Sequence, residues 1–314
     1  MTDPGSPLNN AQHSGLFIMK PFLSFNDQLC LLKSRHLYIK SEIKTKETLK
    51  TENYYRLSGY FKMYTKPGSD DFVNGFSFKK LMKIYNFDAE LRILLDEYIA
   101  RVEIESRTRI AYILAKTTSP SSYYDPSYFV NKSLHDNFMK HVATEIKRNS
   151  NNPMIKHFDG QLIPIWVIVE VLSFGTVSKM FSNLKPNIRK DICKSNDYSK
   201  VYIDKIFKNN LLMVSSLRNI CAHHGRLYGR HFPFNLCLSD SDASLFSKYQ
   251  VPIPSNSSGT PFHLIFALCN LMNSKHETIQ FAKKLKHLFS KYKRCIDIHE
   301  LGFDKNWIKL LSRR

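Results

Sequence analysis

Two adjacent histidines set among arginines are the residues in this chain best suited to chemistry. They lie in Leu217-Arg218-Asn219-Ile220-Cys221-Ala222-His223-His224-Gly225-Arg226-Leu227-Tyr228-Gly229-Arg230, where the spacing R-N-x-x-x-H joins Arg218, Asn219 and His223. No Asp or Glu occurs from Lys205 to Ser239, whereas Lys205, Lys208, Arg218, Arg226 and Arg230 all carry positive charge there. Protein surfaces normally intersperse the two signs. A guanidinium is planar, always charged and able to grip an oxyanion through two bonds. An imidazole titrates near neutrality and can carry a proton. The window therefore suits the holding of an anion while a proton is moved. Asn219 has two readings, fixing the tautomer of His223 or bonding an anion oxygen. His224 is either a second proton carrier or a core group.

A helix must position these groups. Val201, Ile203, Ile206, Phe207, Leu211, Val214, Leu217, Ile220 and Cys221 recur mostly at three- and four-residue steps, the period of an amphipathic helix. Gly225 and Gly229 follow, and glycine commonly stands just past a helix end. Arg218 to His223 should then occupy the last turns. Asn219 and His223, four apart, share a face, and the long Arg218 side chain can reach it. A helix C-terminus favours the protonated form of a histidine.

The stretch R-N-I-C-A-H-H-G-R-L resembles the signature of the bacterial AbiD/AbiF-like abortive-infection proteins, the Abi-like family of the HEPN superfamily. Further blocks resemble that family in order: Asn53 to Tyr60, Tyr85 to Arg92, Arg101 to Tyr112, Pro164 to Gly175, and Leu301 to Trp307. The likeness runs from about Lys20 to Trp307. It implies a HEPN-type helical bundle with additional N- and C-terminal helices, and a metal-independent endoribonuclease that arrests the host during phage infection. It also implies that two HEPN domains face their motifs. With one R-N-x-x-x-H in this chain, a homodimer is expected.

The totals agree with an RNA partner. The 314 residues carry a formal net charge of +19, which calls for an anionic partner, nucleic acid being the commonest. From Lys275 to Arg314 eleven Lys/Arg stand against four Asp/Glu, a local net of +7. The six cysteines are scattered without a C-x-x-C pair, so no disulfide framework is expected and a cytoplasmic setting fits. No apolar run approaches the roughly 18 residues of a membrane span. No strand pattern of convincing length appears, so the class is all-α.

Three regions are expected: a disordered leader over 1–18, foreign to the fold; an N-terminal helical segment over 19–66; and a HEPN-like helical domain over 67–314. Ser24 to Asp27 reads as a capping box. The rings of Asn53 to Tyr64 are expected mostly in the core, with Arg56 a candidate RNA contact. A long helix should run to about Leu114, its Arg92, Arg101, Glu103, Glu105, Arg107 and Arg109 either solvated or lining the site beside Arg218. Helices are also expected over Leu134 to Lys147 and through the apolar segment from Pro164, with a loop over Ser239 to Thr260.

The chemistry open to the central residues is cleavage of RNA by its own 2′-hydroxyl. His223 would move the proton, and Arg218 would hold the charge that builds on the phosphate. Asn219 and His224 would assist, and Arg226, Tyr228 and Arg230 would contact RNA beside Arg56. This route needs no cofactor and no metal. Alternatives are a zinc site from Cys221, His223, His224 and His231, a purely structural Arg–His pair, and a protein that binds structured RNA without cutting it. In the last case a regulatory RNA could restrain it as a toxin.

Overall fold

The computed structural model describes residues 21–253 and 259–312; the expected leader lies outside them. Among the described residues the secondary structure is helical, with only isolated β-bridges, so the class is all-α. The chain divides between Phe78 and Lys79 into two compact units.

The first unit holds α1 (Phe25–Ser34), α2 (Glu42–Thr51) and α3 (Tyr54–Phe61). Ser24 and Asp27 cap α1 reciprocally, as their spacing suggests. Leu29, Leu32, Leu49, Leu57, Tyr60 and Phe61 are buried in its core, while Tyr55 is 85% exposed. The boundary expected after Lys66 moves to Phe78 because the following loop folds back. Phe72 N–H donates to the Arg35 carbonyl (2.8 Å), Val73 N–H to Tyr64 (2.8 Å) and Tyr38 N–H to Phe76 (3.1 Å). Phe72 and Phe76 complete the core.

In the second unit α4 (Phe78–Thr117) is a 40-residue helix, about 60 Å long at 1.5 Å per residue. Leu81, Ile84, Phe87, Leu91, Leu95, Tyr98 and Val102 form its buried stripe. There follow α5 (Lys132–Arg148), α6 (Pro153–Lys156), α7 (Ile165–Val171), α8 (Phe174–Asn183) and α9 (Pro186–Lys194). Next come α10 (Asp204–Ala222), α11 (Asp240–Lys248), α12 (Pro261–Leu271), α13 (Lys275–Tyr292) and α14 (Trp307–Ser312). Every residue of α12 is buried, and α10 packs along it and against α8. α13 lies on α4 through Phe281 on Tyr98 (4.9 Å between ring centres) and the pairs Lys284–Glu97 (2.7 Å) and Lys291–Glu90 (2.8 Å).

Three local expectations change. The apolar segment from Pro164 is two helices, because Ser173 accepts from Thr176 N–H (3.1 Å) and starts α8 afresh. The expected loop over Ser239 to Thr260 contains α11, opened by a Ser239–Asp242 capping box. Arg109 is neither solvated nor at the site: it is buried, bonding the carbonyls of Ile192, Cys193 and Lys200 at 2.8 Å each. Among the described residues no helix is long and apolar enough to cross a membrane.

Candidate active site

The expected helix end is present, but it closes differently. α10 stops at Ala222 with His223 as its C-cap. Gly225 N–H donates to the Ile220 carbonyl (2.7 Å) and His224 N–H to Cys221 (2.9 Å), the two bonds of a Schellman motif. The left-handed position within it belongs to His224, at φ 53°, and not to a glycine. Gly225 is needed for closeness instead: a Cβ there would stand 3.1 Å from Ile220 Cγ2 and 3.2 Å from its carbonyl oxygen. The turn leaves His223 and His224 exposed. Cys221, two residues earlier, is buried and its thiol is pushed up to about 12 by desolvation. Cys221 and the histidines therefore diverge, and no group of three metal-ligating side chains occurs among the described residues.

A buried ion pair fixes the loop that follows. Asp88, fully buried on α4, accepts from Leu227 N–H (3.0 Å) and Tyr228 N–H (2.9 Å). Arg92, one turn on, donates to Asp88 (2.7 Å) and to the Gly225 carbonyl (3.1 Å). Removing one partner of such a buried pair typically costs about 3–5 kcal/mol, so the loop is held firmly.

The acid-free window is not acid-free in space. Glu103 on α4 stands 3.5 Å from Arg218 Nε. Its other oxygen accepts from Arg107, which is buried and also bonds the Val169 and Leu172 carbonyls. Asp96, also on α4, is held above the usual carboxylate range by desolvation, with Arg218, His224 and Arg92 pulling it back. Arg218 thus faces two carboxylates, and 41% of its side chain remains open to solvent. Of the α4 charges weighed from sequence, Glu103 does line the site, and Asp88 and Asp96 join it. All three stand on α4, and nothing in the chain's order ties them to residues more than a hundred positions away.

The remaining candidates separate. Asn219 is exposed and meets His223 through the backbone, its carbonyl accepting His223 N–H at 3.0 Å. Arg230 is exposed and stacks over Phe232 (5.0 Å), and Arg226 is half-buried. Arg56 is half-buried on α3, in the other unit. Tyr228 corrects the sequence reading. It is fully buried against Phe87 (5.9 Å), and its hydroxyl accepts from Asp297 N–H (2.8 Å), so its ring is closed to RNA.

A family model described as Abi-like protein matches residues 47–229, more than half of the chain and the whole of the R-N-x-x-x-H stretch. The chain belongs to the Abi-like family. Comparisons with curated proteins and with solved structures find no match. Membership in the Abi-like family points to a part in abortive infection. Its matched span takes in α3, all of α4 and α10, and the loop through Gly229.

Proposed function

We propose that this Abi-like protein is a HEPN-type endoribonuclease that acts in abortive infection by cutting RNA through its 2′-hydroxyl. The observation that carries this reading is Arg218 itself. It is positioned by a carboxylate that is itself locked, yet nearly half open, in the last turns of a helix whose C-cap is the exposed His223. Arg107 and Arg109, by contrast, are buried against backbone carbonyls.

In the reaction the 2′-oxygen bonds to phosphorus and the bond to the 5′-oxygen breaks. His223 takes the 2′ proton or gives one to the leaving oxygen. Arg218 stabilises the non-bridging oxygens as their charge grows. Glu103 is a positioning residue that holds Arg218 until phosphate competes for it. Two histidine roles from one motif are best met by two copies of the chain. Ile93 and Ile104, 71% and 62% exposed, share the solvent side of α4 beside Asp96 and Glu103 and offer an apolar seam for such a pairing.

The test is incubation of the pure chain with RNA in EDTA, with end analysis of the fragments. Products ending in 2′,3′-cyclic phosphate and 5′-hydroxyl are expected. Intact RNA that is nevertheless bound would turn the reading toward an RNA-binding protein that does not cut.

A further inference from the structure

A cleft of about 460 Å³ opens between the stretch before α10, the start of α11 and the junction of α12 with α13. Asn210 of α10 and Asn270 of α12 line it. They are 0% and 7% exposed, and both polar atoms of each side chain lack a hydrogen-bond partner. Buried carboxamides are nearly always bonded, and each exception calls for an explanation. Here two exceptions share one cavity. Both border the same cavity, and each carboxamide carries one donor group and one acceptor, which suits a planar group with a donor and an acceptor on adjacent atoms. A nucleobase edge has that pattern, and asparagine pairs with it through two bonds.

The rest of the cleft fits a nucleotide. Val201 and Ile203 on the rim are 60% and 56% exposed and give apolar surface for the faces of a base. At the other side the 18-residue α13 begins, with Ser274 as N-cap and exposed Lys275 as its first residue. A helix N-terminus with an adjacent cation suits a phosphate. The one carboxylate in the lining, Asp242, caps α11 at the Ser239 N–H (3.3 Å). Glu277, in the first turn of α13, faces Arg101 at 3.5 Å.

We propose that this cleft binds a nucleotide, its base read by Asn210 and Asn270 and its phosphate held at the start of α13 by Lys275. Asn210 precedes Arg218 by eight residues on one helix, about 12 Å along the axis. A strand cut at Arg218 would place a neighbouring nucleotide in the cleft, and that extension rests on the nuclease reading. Binding of a free nucleotide does not.

The experiment uses the full chain carrying His223→Ala, so that RNA stays intact. Calorimetry with the four ribonucleoside monophosphates, and anisotropy with labelled single-stranded oligoribonucleotides, separate a free nucleotide from a nucleotide within RNA. One base should bind better than the others. Asn210→Leu and Asn270→Leu should each lose tenfold or more in that preference, with melting temperatures unchanged or raised. Lys275→Glu, at an exposed position that folding does not need, should weaken the monophosphate tenfold and leave the matching nucleoside unaffected. Affinity and base preference that change less than threefold in Lys275→Glu and in the folded Leu variants would overturn the proposal. Cleavage by the unmutated chain is scored separately, so nucleotide binding without cleavage would sink the nuclease reading alone.

Discussion

Arg218 is held by Glu103 but not enclosed, and a guanidinium and an ammonium differ most in such a setting. Lysine keeps the charge and loses the planar fork. We expect Arg218→Lys to bind RNA nearly as well as the parent and to cleave it at least a hundredfold more slowly. His223→Ala should lose a similar factor, about 10²–10⁴, with little loss of affinity; single-turnover cleavage beside filter binding would separate the two effects. His224 poses another question. A non-glycine residue at positive φ costs about 1–2 kcal/mol, so His224→Gly should raise stability by about 1 kcal/mol. Gln250, at φ 54° in the same position after α11, is the control. Gln250→Gly should stabilise without touching cleavage, whereas His224→Gly should stabilise and lower it. Equal cleavage in both variants would make His224 a turn residue only.

Among the helices, those with a long apolar stripe were legible in the sequence. α4, α5 and α10 follow their three- and four-residue periods, since burial of one face is what stabilises them. Other features hid for identifiable reasons. α1, α10 and α11 all end in Schellman turns, with His36, His224 and Gln250 where glycine is the usual sign. α11 is nine residues in a serine-rich stretch, too short for its period to stand out. Tyr228 stands among the expected RNA contacts, yet burial of its ring and a backbone N–H on its hydroxyl decide its role. The carboxylates facing Arg218 come from α4, and linear order cannot show that.

α12 carries a pH dependence of its own. Its third residue, His263, accepts the Thr260 N–H through Nδ1 (2.7 Å), and burial holds it down to about 4, with His231 adding to the effect. The unfolded chain takes up a proton below about 6.5, and the folded chain does not until about 4. Stability should be full above pH 6.5 and fall toward pH 4 by at most about 1.4 kcal/mol per pH unit. His263→Gln keeps an acceptor for the cap and cannot titrate. Denaturant unfolding at pH 4.5 and 7 should show a smaller difference in the variant, and an identical difference would remove His263 from the account.

For the whole molecule, the excess of +19 is a statement about partners. RNA affinity should fall steeply with salt, with a slope in log–log form of about −0.7 for each phosphate contact on a single strand. A flat response between 50 and 200 mM (on the order of the range in which such contacts are lost) would rule out phosphate-led binding. The same molecule should sediment as a dimer. Ile93→Lys together with Ile104→Lys should yield folded monomers that cleave poorly. Monomers with full activity would show that one motif suffices.

The bonds from Asp297 N–H to the Tyr228 hydroxyl (2.8 Å) and from Gly229 N–H to the Glu300 carbonyl (3.1 Å) carry a consequence in time. A ribosome makes Arg218 and His223 well before it makes the residues that finish anchoring their loop. At about 5–20 residues per second, the interval is on the order of several seconds. During it a nascent chain carries the motif but not its seat. If the chain is the nuclease proposed, it is delayed by its own synthesis and cannot attack the message still being read until Glu300 has left the ribosome and completed the anchor. Released chains that end at Lys293 should therefore leave RNA whole, and released chains that include Ser312 should cut it. Cell-free synthesis and release of the two chains measures this directly, and cleavage by the shorter chain would show that the late anchor is dispensable.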